Sequence, residues 1–361
     1  MTSHTRRIFE SLIVDKPRDI YRATYPRAKR LVEAVEWISM SGTSVKTCYK
    51  ALGVGFSPKY YLFLDLESKD HSKYILSNAP IRYVNGQSVH VLQDKMAVYA
   101  VFDKFSDQFP TLYGSIHDGR YYSRQEDEVA DLEEAVDTYG SLVIKPVTGQ
   151  EGRGVYKIEK GSPYFINAKR STSNEVRNLQ STINEDYLVT QTVIQHVYAR
   201  KIYPHSANSI RVLTAIDPKT GEPCVVRAVH RFGTSESVPT DNWENGGIAA
   251  PIDVEFGEIK STAVLDNQFN RNPIDKHPES GEKISGVAVE MWDEVEELVK
   301  RGALLYPAAR VIGWDIIVTA DGPVILEASG RPGSHMLQLE KGLLEDEVMK
   351  RVLKGYEKVQ F

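Results

Sequence analysis

Cysteine is scarce in this 361-residue chain: there are two, Cys48 and Cys224, far apart in sequence. Two thiols build neither a disulfide framework nor a zinc site, so both read as reduced, packed residues. Long apolar runs are missing as well. The longest, such as Tyr60–Leu64 and Trp314–Val318, fall far short of the roughly 20 residues a membrane-spanning helix needs. Met1 to Glu10 is polar and lacks the apolar stretch of a secretory signal, so the expected location is the cytoplasm. Positive charge is not in excess: 44 Lys and Arg against 49 Asp and Glu leave a net charge of −5. No global basic field invites nucleic acid, and an acidic substrate must be met by local basic groups. There are no internal repeats and no low-complexity tract.

What is present is an ordinary globular balance, 41% hydrophobic and 26% charged, in a chain long enough for two or three domains. Leu31, Val35 and Ile38 recur at helical spacing, with Arg27, Lys29, Arg30 and Glu33 on other faces. The basic cluster Arg22, Arg27, Lys29 and Arg30 reads as a solvated helix face or a contact for an anionic partner. Residues 60–92 alternate short β-like runs with turn signals, Asn85-Gly86 among them. Asp94 looks like the N-cap of a helix running through Phe105, and Ser123 with Glu126 like a capping box opening a helix that stops at Gly140. Strands are expected at Leu142–Val147, Gly154–Glu159, Leu188–Val193, Ser209–Ile216 and Cys224–Phe232. Residues 234–285 look loop-rich, Val287–Leu305 helical, Gly313–Ala328 a hairpin, and Leu337–Leu353 an amphipathic helix. Without regular βαβ alternation the class is α+β rather than a doubly wound sheet.

Two segments carry chemistry. In the run from Val143 to Val155 a strand bearing Lys145 opens into a loop with Gly149, Gly152 and Gly154. Glycines let backbone N–H groups turn toward phosphate oxygens, and a lysine supplies a compact positive charge. The spacing is not that of a P-loop, since no Gly-Lys-Ser/Thr follows; a hairpin with a surface lysine fits the same residues. The second segment, Val311 to Ser329, has two apolar strands around Asp321-Gly322. A two-residue loop would set Asp315 opposite Ala328 and leave Asp315 and Glu327 on opposite faces. A three-residue loop, Ala320-Asp321-Gly322, would set the carboxylates side by side, a repulsive pair that a bound cation compensates.

These pieces together resemble the ATP-grasp superfamily, and within it the sugar-transfer-associated ATP-grasp family, over roughly residues 90–350. Asp94-Lys95 stands where such proteins place a nucleotide-contacting lysine. Lys145 and the glycine loop match the second lysine and its mobile loop. Gln191-Thr192-Val193-Ile194-Gln195-His196 matches the hinge whose backbone reads adenine, Asn208–Val212 the strand with a phosphate-contacting arginine, and Asp315 and Glu327 the metal carboxylates. The resemblance implies two α+β subdomains, 91–195 and 196–355, gripping ATP and Mg²⁺ behind a helical and irregular N-terminal region, 1–90. It favours the three-residue loop. The family usually has asparagine two residues after the second carboxylate; here Ser329 stands there as a third candidate metal ligand, shorter and a weaker acceptor, so a second Mg²⁺ is in question.

The implied chemistry is phosphorylation of a carboxylate to an acylphosphate and capture by an amine. Lys95 and Lys145 would hold the α- and β-phosphates, and Arg211 would stabilise the transferring group. On the acceptor side stand Arg227, His230 and Arg231, then Asn245 with Gly246 and Gly247 as an oxyanion cradle, and Arg331 as a partner for the acceptor carboxylate. His230 reads either as a general base or as a structural histidine. A kinase acting on a hydroxyl and a nucleotide-binding regulator are the competing functions. The partners expected are small molecules, with no nucleic acid; the oligomeric state stays open.

Overall fold

A computed structural model describes residues 44–124, 129–149, 152–260, 263–267 and 270–357. The helical pattern around Leu31, Val35 and Ile38 with its basic cluster, and the positions Glu126, Gln150 and Glu151, lie outside the described residues.

Two antiparallel sheets organise the chain. The first has seven strands: β1 (Leu112–His117), β2 (Arg120–Ser123), β3 (Ser141–Pro146), β4 (Tyr156–Glu159), β5 (Tyr164–Ile166), β6 (Lys169–Ser171) and β7 (Tyr187–Gln191), in the order β2-β1-β7-β3-β4-β5-β6. One face is closed by two helices, Leu132–Tyr139 and Ser173–Thr182, over a small core of Leu132, Val136, Leu142, Ile144, Ile158, Val176 and Val189. Ser123 is not a helix cap. It ends β2, and the helix starts at Asp131, whose carboxylate accepts from the Glu134 N–H at 2.9 Å. Gly140 stops that helix in a left-handed conformation, as expected.

The second sheet contains β8 (Ile210–Ile216), β9 (Pro223–Phe232), β10 (Ile248–Asp253), β11 (Glu258–Ile259), β12 (Ala263–Asn267), β13 (Asn270–Ile274), β14 (Val311–Thr319) and β15 (Gly322–Ser329). They run β13-β12-β10-β9-β8-β14-β15, with β11 on β10. Residues 234–285 are loop-rich as expected, but they also supply four short strands, β10 to β13, punctuated by polar turns that hid their alternation. Strand β14 is buried on both faces, as its apolar run, interrupted only by Asp315, requires. One face packs on helix Trp292–Leu305 and helix Lys95–Val101, around Phe102, Phe232, Val295, Leu298 and Trp314. Trp314 is fully buried, donates its indole N–H to Thr214 at 2.8 Å and stands edge-on to Phe102. Glycine at 302 lets the helix close on that indole: a Cβ there would lie 2.7 Å from it.

The other face of this sheet is covered over part of its length by the segment before residue 92 and by the chain's end. Phe56, Phe63, Leu64 and Ile81 meet Leu213, Val229, Val311, Met349 and Leu353 there. Residues 60–92 hold no strand. Their short runs are helical, at Pro58–Phe63, Ala79–Asn85 and Ser88–Val91, and Gly86 ends a helix rather than a hairpin turn. Likewise Leu337–Leu353 is not one helix: 3₁₀ turns at Met336–Gln338 and Leu343–Glu345 precede a helix that begins at Glu347. Apolar residues there serve tertiary burial, so spacing alone misreads them. Deleting one such buried leucine side chain typically costs ~2–5 kcal/mol.

Candidate active site

The uncovered end of that second face carries charge instead of apolar side chains. Strand register places Arg211 of β8 directly opposite Asp315 of β14, and Asp315 directly opposite Glu327 of β15. The row Arg211, Asp315, Glu327 thus runs across three strands on one face.

The side-by-side carboxylates were expected; the means differ. The hairpin loop is the two-residue Ala320-Asp321, with Thr319 paired to Gly322, not the three-residue loop. A β-bulge restores the parity: Ile316 pairs with Ile325 but Asp315 with Glu327, leaving Leu326 as the extra residue. The carbonyl of Leu326 then accepts from Lys145 Nζ at 3.2 Å. One irregular residue therefore aligns two acids and docks a lysine from the other sheet.

Asp315 is held hard. Arg211 grips it with a two-pronged fork, through Nε and through Nη2 at 2.9 Å, and Arg231 Nη2 adds a contact at 2.9 Å. These two arginines hold the Asp315 carboxyl well below the usual carboxylate range although burial opposes them. The remaining Arg211 nitrogen, Nη1, donates to the Pro332 carbonyl. Arg211 thus binds Asp315 and the loop after β15, because cross-strand pairing puts a carboxylate in front of it. Arg231 is braced by Ser209 and by Asp241 at 3.4 Å, and Asp241 also accepts from the Ser209 N–H at 2.6 Å. The sequence reading gave neither Ser209 nor Asp241 a role of its own, although Ser209 stands in the Asn208–Val212 motif, because their partner Arg231 is brought to them only by strand pairing. Glu327, half-buried, accepts no hydrogen bond among the described residues.

Lys145 is buried, and its ammonium is lowered to about 8, chiefly by burial and then by the like charge of Lys95, with Glu327 and Asp315 opposing. Lys95 begins its helix behind Asp94, whose carboxylate caps the Ala97 N–H at 3.0 Å. Its backbone N–H and its Nζ bond to Val147 and Gly149 of the loop after β3, at 3.1 and 3.2 Å. Two lysines and two carboxylates so meet at the junction of the sheets. Gly152 and Gly154 take left-handed conformations, Gly152 lying against Thr240 and Gly154 against Tyr187.

The segment 191–196 bridges the sheets. Strand β7 ends at Gln191, paired with Leu142 three rungs from Lys145, or roughly 10 Å along the strand. Thr192 meets Ser141 at 2.8 Å, and the His196 N–H bonds to Val318 at 2.7 Å. Between them Val193 and Ile194 make no backbone hydrogen bond among the described residues, and the Ile194 side chain is exposed.

Three further site expectations change. His230 is not an accessible base. It is fully buried, stacks on Phe232 at 4.2 Å, receives the Tyr198 hydroxyl on Nε2 at 2.9 Å and faces the Arg231 carbonyl with Nδ1. Burial lowers it to about 3. Alternation along β9 sends Arg231 to the charged face and its neighbour His230 into the core. The oxyanion cradle is also absent in this geometry. Gly246 and Gly247 N–H groups donate to Trp243 and Asn242, at 3.3 and 3.0 Å, within a 3₁₀ turn that ends at the exposed Asn245. Ser329, offered as a third metal ligand, spends its hydroxyl on its own turn, accepting from the Arg331 N–H at 3.1 Å and donating to the Arg331 carbonyl. Arg331, two residues on, is half-buried, with the Gln93 amide oxygen at 3.0 Å from its guanidinium in the orientation the surroundings require.

The two sheets, bridged by one segment and joined by a buried lysine, lie within the span that matches an ATP-grasp family. The chain belongs to the sugar-transfer associated ATP-grasp family, which it matches over residues 79–353. No curated protein matches it. Among solved structures, D-alanyl-alanine synthetase A from Vibrio cholerae O1 biovar eltor is similar over 74% of this chain and 65% of its own, at 11% identity and a TM-score of 0.43. N5-carboxyaminoimidazole ribonucleotide synthetase from Thermotoga maritima is similar over 74% and 50%, at 14% identity and 0.40. L-amino acid ligase from Bacillus licheniformis follows with 68% and 42%, at 11% and 0.35. The chain spans less than two thirds of the length of each of these structures. Among the described residues no helix is long and apolar enough to cross a membrane.

Proposed function

We propose that this protein is an ATP-dependent ligase, which phosphorylates a carboxylate and passes the resulting acylphosphate to an amine. The observation that carries the reading is the meeting of Lys145, Lys95, Asp315 and Glu327 at the sheet junction, with Lys145 docked on the bulge beside Glu327. Residues 91–195 and 196–355 are taken as the two gripping halves. Adenine would lie along Val193 and Ile194, whose open backbone edge offers a donor and an acceptor. The polyphosphate would run toward the lysines and the glycine loop.

Mg²⁺ fits the residues present. Among the described residues no group of three or more acidic, His or Cys side chains forms a cage. Mg²⁺ does not ask for one; it is usually held by one or two carboxylates and substrate phosphates. Glu327 offers both oxygens. Asp315 has given three of its ~four acceptor sites to arginine and retains one. Bound there, the ion would neutralise charge on the transferring phosphoryl group. Arg211 and Arg231 fix the Asp315 carboxylate in place, and Lys145 and Lys95 bind and orient the phosphates.

A carboxylate is favoured over a hydroxyl as acceptor by what surrounds the site. A carboxylate is already an anionic nucleophile at neutral pH, whereas a hydroxyl must lose a proton to a base, and the nearby imidazole, His230, is sealed in the core. The test is ADP release with amino acids and sugar acids, with and without hydroxylamine. Trapping of a hydroxamate supports the acylphosphate. ADP release that leaves a stable phosphate ester and no hydroxamate assigns a kinase instead, and nucleotide binding without turnover assigns a regulator.

A further inference from the structure

An open pocket of about 440 Å³ lies beside the short strand β11, with Ile259 at its base. β10, on which β11 pairs, is three strand spacings from β14, or about 14 Å across the sheet. The pocket therefore lies apart from the carboxylate hairpin.

Its walls are fixed by backbone. The Gly286 N–H donates to Ile259 at 2.7 Å, the Ile259 N–H to Val287 at 2.9 Å, and Glu258 pairs with Ala288. Facing them, the Ile284 N–H donates to the Asp275 carbonyl at 2.8 Å, and Lys276 pairs with Lys283. Ser285, itself buried, donates its hydroxyl to Asp275 Oδ1 at 3.2 Å and so orients that carboxylate.

The charges on these walls are not spent on one another. Lys276 and Lys283 stand directly opposite each other, and like charges in that position destabilise a strand pair unless something compensates them. Glu258 stands opposite Asp253, and Asp253 has taken the nearby cation, Lys260, at 3.4 Å. Glu258, Lys276 and Lys283 form no ion pair among the described residues. Glycine keeps the space between the walls open. Gly286 is left-handed, and the point where its Cβ would stand is 3.5 Å from Glu258 Oε1 and 3.5 Å from Lys283 Nζ. An acid and an ammonium thus face each other across Gly286, within twice that distance yet outside ion-pair range.

We propose that this pocket binds a small zwitterion of the amino-acid class, its ammonium toward Glu258 and its carboxylate toward Lys283 and Lys276. A simple anion would meet the lysines but be repelled by Glu258, and a simple cation would meet Glu258 but be repelled by the lysines. A molecule with both charges a few ångströms apart offers each wall its opposite. The volume suits such a ligand, since small-molecule pockets start at roughly 300 Å³. The site stands independently of the ligase reading.

Binding to the full chain is measured by calorimetry with L-alanine and with its two halves: propionate, which lacks the ammonium, and ethylammonium, which lacks the carboxylate. Alanine should bind wild type at least about tenfold more tightly than either half. E258Q and K283Q should each weaken alanine by about tenfold, and K276Q by less. Each variant should keep the wild-type melting point, because these side chains are exposed and lose no ion pair. Alanine binding no tighter than its halves would overturn the pocket. So would binding unchanged in E258Q and K283Q, which would place alanine elsewhere, the sheet junction included. Absence of ADP release with every acceptor would end the ligase reading and leave this binding untouched.

Discussion

The two sheets handle charge in opposite ways. In the second sheet Asp315 lies in a network that closes on itself: two arginines hold it, Ser209 and Asp241 hold Arg231, and Pro332 holds Arg211. In the first sheet Lys145 reaches across with one hydrogen bond, to the Leu326 carbonyl, and a neighbouring lysine opposes its charge. The contrast teaches a division of labour. The Asp315 carboxylate is cross-braced and keeps its geometry, while the Lys145 ammonium is left poorly compensated, so that an anion arriving there would improve its state.

The largest effect should come from breaking the brace. Asp315→Asn leaves the buried Arg211 guanidinium without its acid and Arg231 with Asp241 alone, and breaking such a buried pair typically costs ~3–5 kcal/mol. Denaturant unfolding should show that loss alongside absent turnover. A variant as stable as wild type would mean that the network carries little of the fold.

Acid tests the same sheet through its histidines. His230 is lowered to about 3 and His335, stacked on Tyr60 with Nε2 on the Leu76 carbonyl, to about 4, both mainly by burial. The unfolded chain takes up these protons near pH 6.5 and the folded one does not, so unfolding gains as pH falls. Their contribution is fully present above about pH 6.5 and is lost through pH 4, at about 1.4 kcal/mol per pH unit for each. His335→Gln, which keeps a donor toward Leu76, should reduce the slope by about one proton between pH 4 and 6.5. An unchanged slope would show that His335 titrates normally.

On the first sheet, pH should act on binding. Lys145, lowered to about 8, is charged below that value and loses its proton above it in the free protein. ATP affinity should be level below pH 8 and fall above it by up to about tenfold per unit, with proton uptake on binding seen as a buffer-dependent enthalpy. Lys145→Gln should weaken binding and flatten that profile. A wild-type affinity level to pH 9.5 would place Lys145 away from the phosphates.

The smallest effect on stability is the sharpest comparison. Glu327 shares a rung with Asp315 but has no hydrogen-bonding partner among the described residues. Glu327→Gln should leave the nucleotide-free stability within about 0.5 kcal/mol. It should still abolish turnover and remove any thermal gain from Mg²⁺ with nucleotide. A loss as large as that of Asp315→Asn would erase the distinction between the two acids.

The strands at 141–146, 187–191, 210–216 and 311–329 were legible because their apolar runs and turn residues are local signals, and so was the Asp94 cap. The same local signals named Lys145, the glycines, Asp315 and Glu327, and the order of these motifs pointed to the family. Segments whose apolar residues answer to tertiary burial were misread: helices at 58–91 taken for strands, short strands at 248–274 taken for loop, and 337–353 taken for one helix.

What the sequence by itself determined is which ionisable residues are available and which stretches of chain extend or coil, since backbone preference and side-chain period act over a few residues. Which charges meet was decided by the tertiary structure. Parity at Asp315 and Glu327 depends on one bulged residue, Leu326, and not on the turn type. Alternation and pairing sent His230 into the core and Arg231 onto Asp315. Asn85 and Gly330, 245 positions apart, meet through the packing of a helix on a loop. Coulomb interactions depend on distance and burial, and across sheets neither is written in spacing along the chain.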